Sequence, residues 1–440
     1  MEWQFALLLI FGSLVVLMAL GIPVAFCFLL VNVVGVFLLW GGETGLIQLI
    51  LSVRDSVATF VMLPLPLFIL MGEVMFHSGV APKMIDTLDM LLGRLPGRLG
   101  LLAVGGGTLF STLSGASIAS TAMLGATLVP EMEKRGYKKP MSLGPILGSG
   151  GLAMMIPPSA MAVLLAALGE ISVGKTLMAI IIPGLLMAIL YAGYIIIRCI
   201  LQPSLAPSYK LTLPPVSQRA ISTVRYILPI GLVIFLVVGV ILLGIATPSE
   251  AAATGTLGTF ILAFLYRGLS WEAVKKSIGG TIHITVMIFM IIVGAMAFSQ
   301  ILAYVGATRG LVAFAISLPV APIILLIVMQ VVAIFMGMFM NLTAILMITL
   351  PVFMPIIREV GFNEVWFGVI YLLNMEMAGT SPPFGLNLFV MKGVAPPDTT
   401  MGDIYRAALP FLYCDLVAMA LIIAFPSIAL WLPSVMRPVS

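Results

Sequence analysis

Two short stretches hold the residue types best suited to chemistry. One reads Gly148-Ser149-Gly150-Gly151-Leu152-Ala153-Met154-Met155-Ile156-Pro157-Pro158-Ser159, the other Gly379-Thr380-Ser381-Pro382-Pro383-Phe384-Gly385-Leu386-Asn387. Each is an apolar run interrupted by a double proline. Proline removes a backbone donor and clashes with the preceding turn, so neither run continues as one helix. Broken helix ends expose carbonyls of partial negative charge, suited to a cation with hard oxygen ligands, and N–H groups of opposite sign, suited to carboxylates. Such groups bind and release ions. Catalysis would need clustered His, Asp or Glu residues, and with 2 histidines and few acids inside apolar runs the sequence argues against an enzyme. Cys27, Cys199 and Cys414 stand far apart, without the spacing of a redox pair or a metal site.

The elements that position these stretches belong to a membrane. The chain is 61% hydrophobic and 9% charged with a mean hydropathy of +1.22, against about 45–50% apolar and about 25% charged in soluble domains. At about 20 residues per crossing of the hydrocarbon core, the 440 residues allow about a dozen segments. Apolar runs fall near 3–20, 22–40, 57–76, 99–130, 141–169, 177–197, 226–245, 251–266, 278–304, 311–357, 365–391 and 407–433. The first is expected to be a retained span, because Glu2 and Trp3 stand where a signal peptide carries Lys or Arg. The net charge of +4 does not point to nucleic acid, since the basic residues sit in short loops and set orientation.

The run at 99–130 would be roughly 48 Å long as one helix, and it is bracketed by Lys83, Arg94 and Arg98 before it and Lys134, Arg135, Lys138 and Lys139 after it. Basic flanks belong on the cytoplasmic side, so this segment is expected to enter and return as a re-entrant hairpin, with Ser111-Thr112-Leu113-Ser114-Gly115-Ala116-Ser117 as its turn. The alternative is a tilted helix whose small residues pack against neighbours. With a second hairpin at about 311–357, both termini fall outside, and only Arg54, Lys175, Arg309, Arg358 and Arg437 of the 21 basic residues lie on the outer side. The basic, proline-containing stretch 199–225 reads as a cytoplasmic linker. It divides the chain into a first repeat, 1–198 (hairpin about 99–130, broken helix about 141–169), and a second, 226–440 (hairpin about 311–357, broken helix about 365–391).

A shift of 225 residues carries Pro130 onto Pro355, Gly136 onto Gly361, Tyr137 onto Phe362 and Pro157-Pro158 onto Pro382-Pro383. An odd number of crossings in each half makes the second repeat inverted relative to the first. The predicted fold is therefore an all-α polytopic membrane protein of two inverted repeats, each with a hairpin and a Pro-broken helix, the pattern of secondary transporters.

At these residues the chain resembles the large membrane subunit of tripartite ATP-independent periplasmic (TRAP) transporters, the DctM-like family of the ion-transporter superfamily, over essentially its whole length. Gly244-Ile245-Ala246-Thr247-Pro248-Ser249-Glu250 with the alanines that follow is similar to that family's ATP[TS]EAAA stretch. Gly337-Met338-Phe339-Met340-Asn341 followed by Pro351 and Pro355, and both double-proline breaks, are also similar to its patterns. The resemblance implies an elevator transporter in a bacterial or archaeal cytoplasmic membrane, in which a mobile unit moves against a scaffold. It implies sodium as the coupled ion, a small four-helix DctQ-like membrane subunit as partner, and a periplasmic binding protein that delivers a small organic acid.

The resemblance places a first sodium site at Ser111, Ser114, Gly151, Met154 and Pro157. A second is expected at Gly337, Asn341, Thr380, Ser381 and Pro383, and the substrate between them at Ser117, Ser159, Asn341 and Asn387. The alternative for the serines and glycines is close helix packing. Glu376 and Asp415 fall in apolar runs, where a charge costs about 2.5–3.5 kcal/mol. Glu376 either tunes the second site or belongs to a structural pair, and Asp415 is expected to make a structural hydrogen bond. His283 is expected in the interior, and Glu250 at a helix start. Competing readings are a stand-alone anion transporter of the same superfamily and a channel. The substrate is not legible: sialic acid, C4-dicarboxylates, keto acids and aromatic acids all remain open.

Overall fold

The computed structural model describes residues 3–93, 95–114, 117–207, 214–337 and 340–437, and the side chains at positions 56, 81 and 111–114 lie outside that description. Among the described residues all regular structure is helical, and six helices are long and apolar enough to cross a membrane, or seven if a bent pair is one span. The chain opens with α1 (Trp3–Ala19), α2 (Val24–Leu39), α3 (Glu43–Val57) and α4 (Pro64–His77). Gly79, at φ 66°, then turns the chain into α5 (Val80–Leu92). The run at 99–130 is two packed helices, α6 (Arg98–Ser114) and α7 (Ser117–Lys134), rather than one tilted rod. The next helix is α8 (Lys139–Met155), which gives way to α9 (Ala160–Leu168) with a bend of 45° and a cis Pro157–Pro158 bond between them. α10 (Val173–Ala179) and α11 (Ile181–Leu201) complete the first half.

Helical structure reaches into the stretch 199–225 expected as a linker: α12 (Val216–Ser222) lies within it and is joined by π-helical turns to α13 (Leu228–Ile234) and α14 (Val240–Leu242) in one apolar span that opens the second half. α15 (Pro248–Leu265) opens on a reciprocal cap: the Thr247 hydroxyl accepts from the Glu250 N–H, and the Glu250 carboxylate accepts from Thr247. α16 (Trp271–Tyr304) follows, and Gly306, at φ 76°, then starts α17 (Ala307–Ser317), as Gly79 starts α5. α18 (Pro322–Gly337) and α19 (Leu342–Val360) form the second packed pair. α20 (Glu364–Thr380) and α21 (Leu386–Val394) flank the cis Pro382–Pro383 bond, and α22 (Met401–Ala424) and α23 (Ser427–Val435) close the chain.

The second pair is shorter than its apolar run. Residues from 311 to 317 belong to the separate helix α17, and the pair occupies 322–360; Pro319 and Pro322 divide a stretch in which no charge marks the boundary. The run at 407–433 is likewise two helices, interrupted at Pro426. α3 and α5 fall largely outside the apolar runs because they carry charges, Glu43, Arg54 and Asp55 on one and Lys83, Asp86 and Asp89 on the other. His283 lies exposed on α16, so the interior expected for it is not where it sits.

A matching order of elements follows each helix pair: a helix ending at a double proline, then a nine-residue helix. The ion pairs repeat as well. Lys139 meets Glu133 at 3.0 Å, and at the same 225-residue offset Glu364 meets Arg358 at 3.0 Å, with the charges exchanged. Each basic residue also reaches into the other half: Lys139 to Asp398 at 2.9 Å, and Arg358 to the carbonyl of Gly169 at 2.7 Å. Partly exposed pairs of this kind contribute about 0–1 kcal/mol each. The larger stabilising term is packing without side chains in the way.

α8 is buried along nearly its whole length, under α6, α7, α20 and α22. Gly144 and Gly148 lie one turn apart beneath the Phe411 ring, where a Cβ would come within 2.6 Å of ring carbons at both positions. Glycine at both places lets α22 approach α8 at backbone distance. Gly148→Val forces the ring aside and is expected to cost about 1–3 kcal/mol, read as a lower melting temperature of the detergent-solubilised protein. Gly193→Ala, where nothing lies within 4 Å of the added carbon, is expected to leave the melting temperature unchanged or slightly raised, since alanine favours a helix interior over glycine.

Candidate functional site

The two breaks open on one cavity of about 570 Å³. α4 and α16 form one wall, with Gly72, Glu73, His77 and Met287. The opposite wall brings both halves together: Ser117 of α7, Met154 of α8, Asn341 beside α19, Gly379 of α20 and Asn387 of α21. Across it the Asn387 amide donates to the Ser117 hydroxyl at 2.7 Å, a bond between residues 270 apart in sequence.

Helix polarity gives this wall its electrostatics. α7, α9, α19 and α21 all begin at the cavity, at Ser117, Ala160, Leu342 and Leu386. Their dipoles, and the first-turn N–H groups that the Ser159 and Asn341 caps do not take up, favour an anion, by about 0.3–1 kcal/mol for each terminus when exposed and more when partly buried. α8 and α20 instead end there, near Met154 and Gly379, with carbonyls that favour a cation. No lysine or arginine is among the described lining residues; the titratable ones are Glu73 and His77, paired with each other at 3.3 Å. Gly280 of α16 makes room for Glu73, since a Cβ there would lie 2.5 Å from a carboxylate oxygen.

Of the residues expected at the first sodium site, the side chains of Ser111 and Ser114 lie outside the described residues, while Gly151, Met154 and Pro157 are buried at the α8 break. For the second, Thr380 and Ser381 are buried at the end of α20, and their hydroxyls donate back to helix carbonyls, Thr380 to Met377 at 3.2 Å and Ser381 to Met377 at 2.7 Å. Both oxygens thereby keep lone pairs for a cation, which fits sodium. Gly337 packs its Cα face directly on Ala378, as close helix approach requires. Asn341 caps α19, its side-chain oxygen accepting from Thr343 at 2.8 Å, and Pro383 is exposed, with its carbonyl accepting from the Tyr405 hydroxyl at 2.8 Å. Ser117, Asn341 and Asn387 line the cavity. Ser159 does not: it is fully buried, and its hydroxyl accepts from Ala162 at 3.3 Å as the cap of α9.

Glu73 and His77 escaped sequence reasoning because they stand at the end of an apolar run and resemble its boundary. Their spacing of four, one helical turn, was the available signal. Asp415 accepts a hydrogen bond from the Tyr191 hydroxyl, the structural bond expected of it. Glu376 is the exception, buried against Gly151 with no such partner.

The profile described as "Tripartite ATP-independent periplasmic transporter, DctM component" matches residues 11–428. The chain belongs to this family. Relatives include the C4-dicarboxylate TRAP transporter large permease protein DctM of Pseudomonas aeruginosa, 31% identical over 89% of this chain and 93% of that protein. The ectoine TRAP transporter large permease protein TeaC of Halomonas elongata is 28% identical over 96% and 97%, and the sialic acid TRAP transporter large permease protein SiaM of Vibrio cholerae 27% over 96% and 97%. In fold the chain is similar to the YdaH transporter of Alcanivorax borkumensis (TM-score 0.60, 16% identity, 88% of this chain and 90% of that one). It is also similar to MtrF of Neisseria gonorrhoeae (TM-score 0.62, 14% identity, 89% and 84%). As a DctM-family protein the chain is a multi-pass membrane protein and a transporter permease subunit, not an enzyme.

Asn387→Ala removes both a cavity-lining amide and the bond to Ser117. A buried hydrogen-bond partner deleted in this way costs about 1–3 kcal/mol, so substrate uptake is expected to fall at least about tenfold while the gel-filtration profile is retained.

Proposed function

We propose that this DctM-family chain is the large permease subunit of a sodium-coupled, binding-protein-dependent importer of a small organic acid, working by an elevator movement in a bacterial or archaeal cytoplasmic membrane. One observation carries the reading: four helix N-termini and two helix C-termini converge on a single cavity that spans both halves of the chain. The N-termini suit a carboxylate and the C-termini suit sodium, so anion and cation are held side by side with no lysine or arginine among the described lining residues.

The matching element order and the charge-exchanged ion pairs support two repeats in opposite orientation. In this reading α6 to α9 and α18 to α21 form the moving unit, α4 and α16 belong to the scaffold, and the cavity lies on the sliding boundary. Both termini are outside, a small DctQ-like four-helix subunit covers part of the lipid-facing scaffold, and a periplasmic protein delivers the substrate. The relatives' names cover C4-dicarboxylate, ectoine and sialic acid, all carboxylates, and substrate choice is assigned mainly to the delivering protein.

Reconstitution with the small subunit into proteoliposomes, with a panel of binding proteins and their radiolabelled acids, tests this. Uphill accumulation is expected only with an inward sodium gradient and a cognate binding protein. Accumulation without sodium would overturn the coupling. Accumulation without any binding protein would favour the stand-alone transporter, and equilibration that never exceeds the outside concentration would favour a channel.

A further inference from the structure

We propose that Glu376 is the shared counter-charge of the sodium binding region, a positioning carboxylate that acts on both helix breaks at once. The proposal rests on the sodium-coupled reading above and adds a residue to it. The groups assigned to the two sodium sites, at Gly151, Met154 and Pro157 and at Gly337, Asn341, Thr380, Ser381 and Pro383, are all neutral hydroxyl, amide or backbone groups. Until the substrate carboxylate arrives, sodium held by neutral oxygens alone leaves a net positive charge inside an apolar protein, a costly arrangement unless a fixed anion lies near.

Glu376 occupies the position from which one carboxylate serves both. It lies one turn before the end of α20 at Thr380, whose hydroxyl is 3.3 Å from the Glu376 carbonyl. Its side chain is pressed against α8 one turn before that helix ends: a Cβ on Gly151 would coincide with Oε1 of Glu376 and lie 2.7 Å from Oε2. Only glycine at position 151 admits the carboxylate. On the adjoining side of the same turn, Thr121 of α7 presses its hydroxyl on Gly150.

The structural alternative asks for a partner that is not there. Glu376 is 1% exposed, and among the described residues neither carboxylate oxygen has a hydrogen-bond partner; the Thr121 hydroxyl, fully buried, has none either. The ionisable side chain that faces Glu376 from α22 is Asp415, of the same sign, and the Tyr191 hydroxyl of α11 is engaged by Asp415. Lys139 of α8 is committed to Glu133 and Asp398, and Lys392 of α21 donates to Thr399. Two unpartnered buried polar groups on one glycine pair, beside two helix C-termini, form a surround that a monovalent cation completes.

The test uses the full-length chain purified with its small membrane subunit. Its melting temperature is followed against sodium chloride at constant ionic strength, with choline chloride as replacement. The wild-type protein is expected to be stabilised by sodium with a defined midpoint. In Glu376→Gln, which keeps the shape and removes the charge, the midpoint is expected to move up about tenfold or more, and Glu376→Asp, which keeps the charge but withdraws it, is expected to fall between. A structural role would lower the melting temperature at every sodium concentration and leave the midpoint in place. An unchanged midpoint in Glu376→Gln overturns the proposal; should that variant fail to fold, an unchanged midpoint in Glu376→Asp overturns it. Absence of any sodium effect on the wild type would instead bring down the sodium-coupled reading, and this inference with it.

Discussion

A helix that stops inside a membrane protein leaves backbone carbonyls or N–H groups that lipid cannot satisfy, and the rest of this molecule is arranged around that constraint. α8 and α20 both stop at double prolines, and α7, α9, α19 and α21 all start nearby. Each end is tolerable only because protein surrounds it. The surround is built from small residues: Gly144 and Gly148 under Phe411, Gly151 against Glu376, Gly337 on Ala378, and Gly385, where a Cβ would lie 2.7 Å from the Gly379 carbonyl oxygen. Close backbone approach in these places packs the discontinuous pieces against one another.

The same constraint generates binding chemistry. Carbonyl ends and N–H ends that cannot be satisfied within their own helices present opposite partial charges to one cavity, a lining suited to ions of both signs. In the importer proposed above, a cavity of helix ends with no lysine or arginine among its described lining residues would hold a carboxylate without trapping it. The Ser117–Asn387 bond ties the wall together across the two halves.

Much of this was legible in the residues because the signals were large. The double prolines and the stretch from Gly244 to Glu250 each impose a local outcome that tertiary packing does not override, a helix break and a helix start. What stayed hidden depended on contacts made at a distance. Ser159 has the composition of a ligand and the position of a helix cap, a difference set by which way a buried hydroxyl turns. The start of the second helix pair at Pro322 was masked by apolar residues on both sides, and α3 and α5 by charges that apolar runs exclude. Glu73 and His77 became site residues only once α4 was seen facing the breaks.

The two halves meet at one wall, and the Ser117–Asn387 contact reports that meeting directly. With Cys27, Cys199 and Cys414 replaced by serine, the double variant Ser117→Cys, Asn387→Cys in membranes should be cross-linked by mercuric ion and by a short bifunctional thiol reagent, shown by protection of both thiols from maleimide labelling. A pair such as Ser117→Cys, Ser427→Cys should not. Failure of the 117–387 pair to cross-link while each single cysteine labels freely would contradict the shared wall and the function built on it.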